Sequence, residues 1–136
     1  MIDMCSFVRM AFLLGLGALG ASSAVPQGRG ALPVLDRLEA GQWELRTPSN
    51  SRIAAICLGD PGQLVQPRHQ GTDCPRTLIG SDDRSVTVRY SCPGTGSGRT
   101  VVRVETPRLA QIDSQGLDRG IPFAVRAEAR RIGACN

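Results

Sequence analysis

Apolar and polar residues alternate along most of the chain from Trp43 onward, and turn-forming clusters interrupt the alternation at short intervals. Ser85 to Cys92 shows it most plainly, with Val86, Val88, Tyr90 and Cys92 on one face and Ser85, Thr87, Arg89 and Ser91 on the other. A period of two marks a strand with one side buried and one in water. The same pattern predicts strands over 43–46, 52–58, 74–79, 100–106, 108–116 and 121–132. Pro48-Ser49-Asn50-Ser51, Gly80-Ser81-Asp82-Asp83, a flexible Pro93 to Gly98 loop and Asp118-Arg119-Gly120 separate several of them, as expected of successive antiparallel strands. The last run also holds good helix formers. There Phe123, Val125, Ala127 and Ala129 oppose Ala124, Arg126, Glu128 and Arg130, so strand is the assignment. Asp60-Pro61 reads as an N-cap followed by proline at the first helical position, opening a brief helix over 61–66 that Pro67 stops. Val34 to Ala40 has room for a helical turn or two. The fold class is mostly β: a single antiparallel sheet or meander, a curled sheet or open barrel, with one short helix and two disulfides.

The first residues follow a different pattern. Met10 to Ala21 is an apolar run, preceded by Arg9 and followed by Ser22-Ser23-Ala24. A charged head, a short apolar middle and a small-residue exit make an export signal. The run falls short of the about 20 residues that a transmembrane helix needs, although Asp3 offsets Arg9, which keeps an uncleaved anchor as the competing reading. Cleavage after Ala24 divides the chain into a signal peptide (1–24), a Pro/Gly-rich spacer (25–40) and a β domain (41–136), with no stable membrane span left.

Cys5 departs with the signal, and Cys57, Cys74, Cys92 and Cys135 remain. An even number of thiols in a short exported domain points to disulfides, and four cysteines allow three pairings. Pairing sequence neighbours, Cys57 with Cys74 and Cys92 with Cys135, is the arrangement adopted. It ties one strand end across the brief helix to the next strand, and the central strand to the chain's end. A zinc site or a redox pair calls for close spacing of the Cys-x-x-Cys type, which is not present.

Composition narrows the classes further. All 16 basic residues are arginine, against 12 acids, for a net charge of +4. That mild excess suits an anionic envelope surface or an acidic partner. The arginines are spread along the chain without interleaved aromatics, which argues against nucleic-acid binding. His69 is the sole histidine and sits in Pro67-Arg68-His69-Gln70-Gly71 with no nucleophile motif around it, so it reads as an exposed loop residue. Asp82-Asp83 read as turn residues, and Gly94-Thr-Gly96-Ser-Gly98 as a hairpin connection, since it lacks the lysine of a phosphate loop. Gln111, Asp113 and Gln115 share one strand face, either a solvated exterior or the polar lining of a cleft. Trp43 is expected to anchor the core. No catalytic residue, metal ligand or cofactor site is assigned.

The Gly41-Gln-Trp43-Glu44 opening, the four cysteines and the Arg130-Arg131-Ile-Gly133-Ala-Cys135 ending resemble one family, the proteobacterial envelope family catalogued as domain of unknown function 3617. The resemblance covers essentially the whole chain after the signal. It implies a periplasmic or secreted location in a Gram-negative envelope, agrees with the cysteine pairing above, and transfers no catalytic residues. The leading expectation is a non-enzymatic module that binds an unknown protein or small ligand in the envelope. Its rivals are a secreted inhibitor of a hydrolase, presenting the 57–74 segment or the glycine loop, and a hydrolase using His69 or an acid pair.

Overall fold

The structure is a computed structural model that describes residues 31–136. The expected signal peptide, Cys5 and the first part of the spacer lie outside the described residues. Seven strands are formed: β1 (Gly41–Arg46), β2 (Arg52–Leu58), β3 (Arg76–Ser81), β4 (Ser85–Cys92), β5 (Gly96–Thr106), β6 (Leu109–Asp118) and β7 (Ile121–Gly133). They make one antiparallel sheet in the order β2-β1-β7-β6-β5-β4-β3. Strands β3 to β7 run as a meander, and the β1–β2 hairpin joins it beside β7. The sheet is curled but not closed, with β2 and β3 as its edges.

Alternation decides the faces as expected. Val86, Val88, Tyr90 and Cys92 of β4 are buried, as are Val102 and Val104 of β5, Ala110 and Ile112 of β6, and Ala127 and Ala129 of β7. The run 121–132 is indeed a strand, because its small side chains fit against β1 and β6 at the middle of the sheet. The β6–β7 hairpin turns through Arg119 and Gly120, both with positive φ (51° and 80°). That is the backbone twist a two-residue hairpin needs. The glycine-rich stretch 93–98 is tighter than a flexible loop. Thr95 N donates to Cys92 O at 3.0 Å, and β5 already begins at Gly96.

Because β2 and β3 are consecutive in sequence yet lie at opposite edges, residues 59–75 must cross one face of the sheet. The brief helix expected there is a single 3-10 turn, Pro61–Val65, whose Asp60 cap accepts from Gly62 N at 2.9 Å. Five residues ended by Gln66-Pro67 are too few for an α-helical bond pattern to propagate. A second 3-10 turn, Leu35–Arg37, lies beside it. Within the segment 25–40 read as spacer, Leu32, Val34, Leu35 and Leu38 are buried in the core. Together with Leu64 and Val65 they cover Trp43, Leu45, Val86, Val88 and Val102. Trp43 is fully buried, and its indole N–H donates to Glu39 O at 2.9 Å. This core compensates for scarce aromatics by covering one sheet face with two chain segments.

The cysteine pairing differs from the expected one. Cys57 bonds Cys135 and Cys74 bonds Cys92, at Cα separations of 5.5 and 4.7 Å. Sheet order is the reason. Cys57 lies on β2 at one edge, facing away from the core, while Cys74 precedes β3 at the other edge and is buried. A Cys57–Cys74 bond would have to span the sheet. Gln42 of β1, by contrast, is flanked by Cys57 and by Gly133 of β7, so the chain just past β7 reaches Cys57 directly. The second bond pins the end of the crossing segment to the end of β4.

Candidate functional site

The face of the sheet away from the core carries a dense array of charge. Its direct cross-strand neighbours include Glu44 and Arg130, Arg46 and Glu128, and Arg126 and Asp113. Opposite charges placed directly across an antiparallel pair support the register. Arg126 Nε lies 3.1 Å from Asp113 Oδ2, Arg130 Nη2 lies 2.8 Å from Glu128 Oε1, and Arg103 Nη2 lies 2.7 Å from Glu105 Oε1. Arg46 Nε bonds Glu44, which also faces Arg52 at 3.6 Å. The Arg130 hydrogen bond holds the Glu128 carboxyl below its ordinary range, opposed by partial desolvation and aided by the bond from Gln111.

In this face lies a cleft of about 540 Å³. Its walls are Arg46, Arg103, Gln111, Asp113, Arg126 and Glu128, and the β1–β2 turn (Thr47, Pro48, Asn50) forms its rim. Val101 supplies an apolar patch on the floor. Ile112 and Ala127 point into the core and so line the cleft by their backbones. Gln111 and Asp113 therefore belong to a polar cleft lining, the sharper of the two expectations for that strand face. Gln115 borders a separate, shallower trough. The wall charges sit in solvent-accessible pairs: Arg126 with Asp113 inside the cleft, and Arg46, Arg103 and Glu128 with Glu44, Glu105 and Arg130 beside it. Such pairs contribute little to stability, so a charged guest can exchange partners with them at small cost. Arginine's planar fork suits carboxylate or phosphate on the guest, and Asp113 and Glu128 suit an amine.

His69 departs from the expectation of an exposed loop residue. It is 5% exposed, because the crossing segment 59–75 folds it down onto the core side of β4. Its Nδ1 is 3.0 Å from the Tyr90 hydroxyl, and its ring meets Tyr90 and Phe123 edge-on at centroid distances of 5.5 and 5.9 Å. Nε2 faces Asp118 Oδ1 at 3.9 Å, too far for a hydrogen bond, and has no other partner among the described residues. The other Asp118 oxygen accepts from Arg68 Nε at 2.9 Å. Burial pushes the Tyr90 hydroxyl pKa up; the Ser114 hydroxyl draws it back, and the Asp118 charge adds to the rise. Ser114 Oγ is 2.7 Å from Thr100 Oγ1, and both residues are fully buried.

An acid, a histidine and hydroxyls thus line up from Asp118 through His69 and Tyr90 towards Ser114, but inside the core. A nucleophile must be reachable by substrate, and Ser114 is sealed. The chain of groups fastens the crossing segment to the sheet instead. Gln66 Nε2 completes the fastening by donating to His69 O at 2.9 Å and to Thr72 O. Nothing in the polar stretch Pro67 to Gly71 signals this burial, which follows from the long-range order of strands.

The remaining sequence candidates take the simpler role. Asp82 accepts from the backbone N–H groups of Arg84 (2.8 Å) and Ser85 (2.7 Å), which hold its pKa down, as befits a turn residue. Neither the 57–74 segment nor the glycine stretch stands out as a protruding loop, since the first lies over the core and the second is a tight turn. Among the described residues no group of three or more His, Cys, Asp or Glu side chains is placed to hold a metal ion. No described helix is long and apolar enough to cross a membrane. Compared with protein-family models, characterised proteins and solved structures, the chain shows no match.

Proposed function

We propose that this chain is an exported, disulfide-stapled β domain of the Gram-negative envelope whose task is binding rather than catalysis. Its site is the polar-face cleft, and its guest is a small charged ligand or a charged segment of a partner protein. The observation that carries this reading is the cleft's wall of arginines and carboxylates held only in exposed, exchangeable pairs. The export signal, the two disulfides and the resemblance to domain of unknown function 3617 support the location. The buried His69, Tyr90 and Ser114 chain supports a structural rather than a reactive role for the only histidine.

The test has two arms. Cell fractionation with non-reducing peptide mass spectrometry is expected to find the protein outside the cytoplasm with Cys57–Cys135 and Cys74–Cys92 peptides. A cytoplasmic protein with four free thiols removes the location. A thermal-shift screen of carboxylated, phosphorylated and zwitterionic compounds is expected to find ligands whose effect disappears in Arg103→Gln/Arg126→Gln. Ligands that stabilise both proteins equally remove the cleft as the site.

A further inference from the structure

Among the described residues, four arginines of the open face are compensated and two at one end are not. Arg46, Arg103, Arg126 and Arg130 each have a carboxylate oxygen within ion-pair distance. Arg89 of β4 and Arg99 of β5 stand directly opposite each other in the register, both exposed, and neither has an acidic partner among the described residues. Like charges facing each other across a strand pair cost stability, and a bound anion removes that cost. The neighbouring side chains on the same face are Ser91 and Ser97, themselves opposite each other, and Gln115, opposite Arg99. Two guanidinium forks, two hydroxyls and an amide therefore border one shallow trough of about 660 Å³. This is the donor set that a phosphodiester takes.

Immediately beside the trough the β6–β7 hairpin ends in apolar side chains. Leu117, which also borders the trough, is 45% exposed, and Ile121, opposite Asp118 on the other face of the hairpin tip, is 70% exposed. Between them in the sequence lie Asp118, paired with Arg68, and Arg119, which has no ion pair among the described residues. We infer that this end of the sheet docks on an anionic phospholipid surface, with Arg89 and Arg99 on headgroup phosphates and the Leu117–Ile121 tip in the boundary between headgroups and acyl chains. The pairing of the two features favours a membrane over a free phosphate ester. A soluble ester uses the arginines but gains nothing from an exposed isoleucine, whereas a bilayer interface takes up apolar tips and cationic groups together.

The experiment is sedimentation with vesicles of phosphatidylcholine alone and of phosphatidylcholine mixed equally with phosphatidylglycerol. Binding is expected to the mixed vesicles only and to weaken as salt is raised. Arg89→Gln/Arg99→Gln is expected to weaken it about thirtyfold without lowering the thermal midpoint, because the substitution also removes the Arg–Arg repulsion. Leu117→Ser/Ile121→Ser is expected to weaken it about tenfold. Arg52→Gln/Arg108→Gln removes the same charge elsewhere and is expected to change binding less than about threefold, as a general field effect screened by salt would. Equal binding to neutral vesicles overturns the inference, as does an equal loss in Arg52→Gln/Arg108→Gln. Competition by glycerol phosphate with no effect of the Leu117 and Ile121 substitutions assigns the patch to a soluble ester and overturns it too. Equal affinity for single-stranded DNA at matched phosphate concentration does the same.

Discussion

At the scale of single residues, Tyr90 joins the sheet to the segment that covers it. Replacing it with Phe keeps the ring and removes the hydroxyl, leaving His69 Nδ1 buried without its 3.0 Å partner. A loss of about 1–3 kcal/mol is expected from an orphaned buried polar group, measured as a shift of the urea midpoint. The same hydroxyl sets an alkaline limit. Its folded pKa is raised above the ordinary 10.0, mainly by burial, so the unfolded chain gives up its proton first as pH climbs. Stability held below pH 10.0 is then lost as pH rises towards the folded value. Urea midpoints measured across that range should fall steeply for the native chain and less for Tyr90→Phe. Glu128 works in the opposite sense: its pKa is lowered, chiefly by Arg130, so its contribution is present above its ordinary 4.5 and disappears as pH falls through the folded value. The pair is exposed, which limits the effect to below about 1 kcal/mol, and Glu128→Gln should flatten the acid limb by no more than that. None of the Tyr90 chemistry can be read from Pro67 to Gly71, although the burial of Tyr90 itself follows from the alternation of β4.

At the scale of elements, the glycines of β5 show how closely strands and side chains are fitted. The ring of Tyr90 lies across Gly98, where an added Cβ would stand 2.6 Å from the hydroxyl oxygen and 2.7 Å from ring carbons. The ring is held by His69 and cannot step aside, so Gly98→Ala should cost about 1–3 kcal/mol, as overpacking does. Circular dichroism melts of Gly98→Ala, Tyr90→Phe and the double variant would check this: without the hydroxyl the ring is free to shift, so Gly98→Ala should cost less beside Phe than beside Tyr90. β4 matches the sequence expectation residue for residue, β2 does likewise, and β7 is longer by one residue at its end. Local alternation carries that information within each segment. The start of β5 was not visible in the same way, since a run of glycines reads as loop until Tyr90 and Gly116 are placed opposite it. The cleft lining was half legible: Gln111, Asp113 and Gln115 share a face by periodicity alone, but Arg46, Arg103 and Arg126 join two of them only through strand order.

At the scale of the whole molecule, strand order explains both staples and the failure of neighbour pairing. The Cys57–Cys135 bond closes a separation of 78 residues and the Cys74–Cys92 bond one of 18. Chain-entropy estimates give about 4.5 and about 3 kcal/mol for loops of these sizes. Cys57→Ser/Cys135→Ser should therefore lower the unfolding free energy more than Cys74→Ser/Cys92→Ser, as read from parallel urea titrations. The position of β7 has a further consequence, which concerns time. β7 is the last of the seven strands along the chain, yet it sits between β1 and β6 and carries the seam that joins the β1–β2 hairpin to the meander. A chain emerging from its amino end can pair β3 to β6 and close Cys74–Cys92 early, while β1 and β2 wait with an open flank and an unbonded Cys57. Contacts this distant in sequence slow folding. Assembly should accordingly finish in one late event, with β7 filling the gap and the second staple closing behind it.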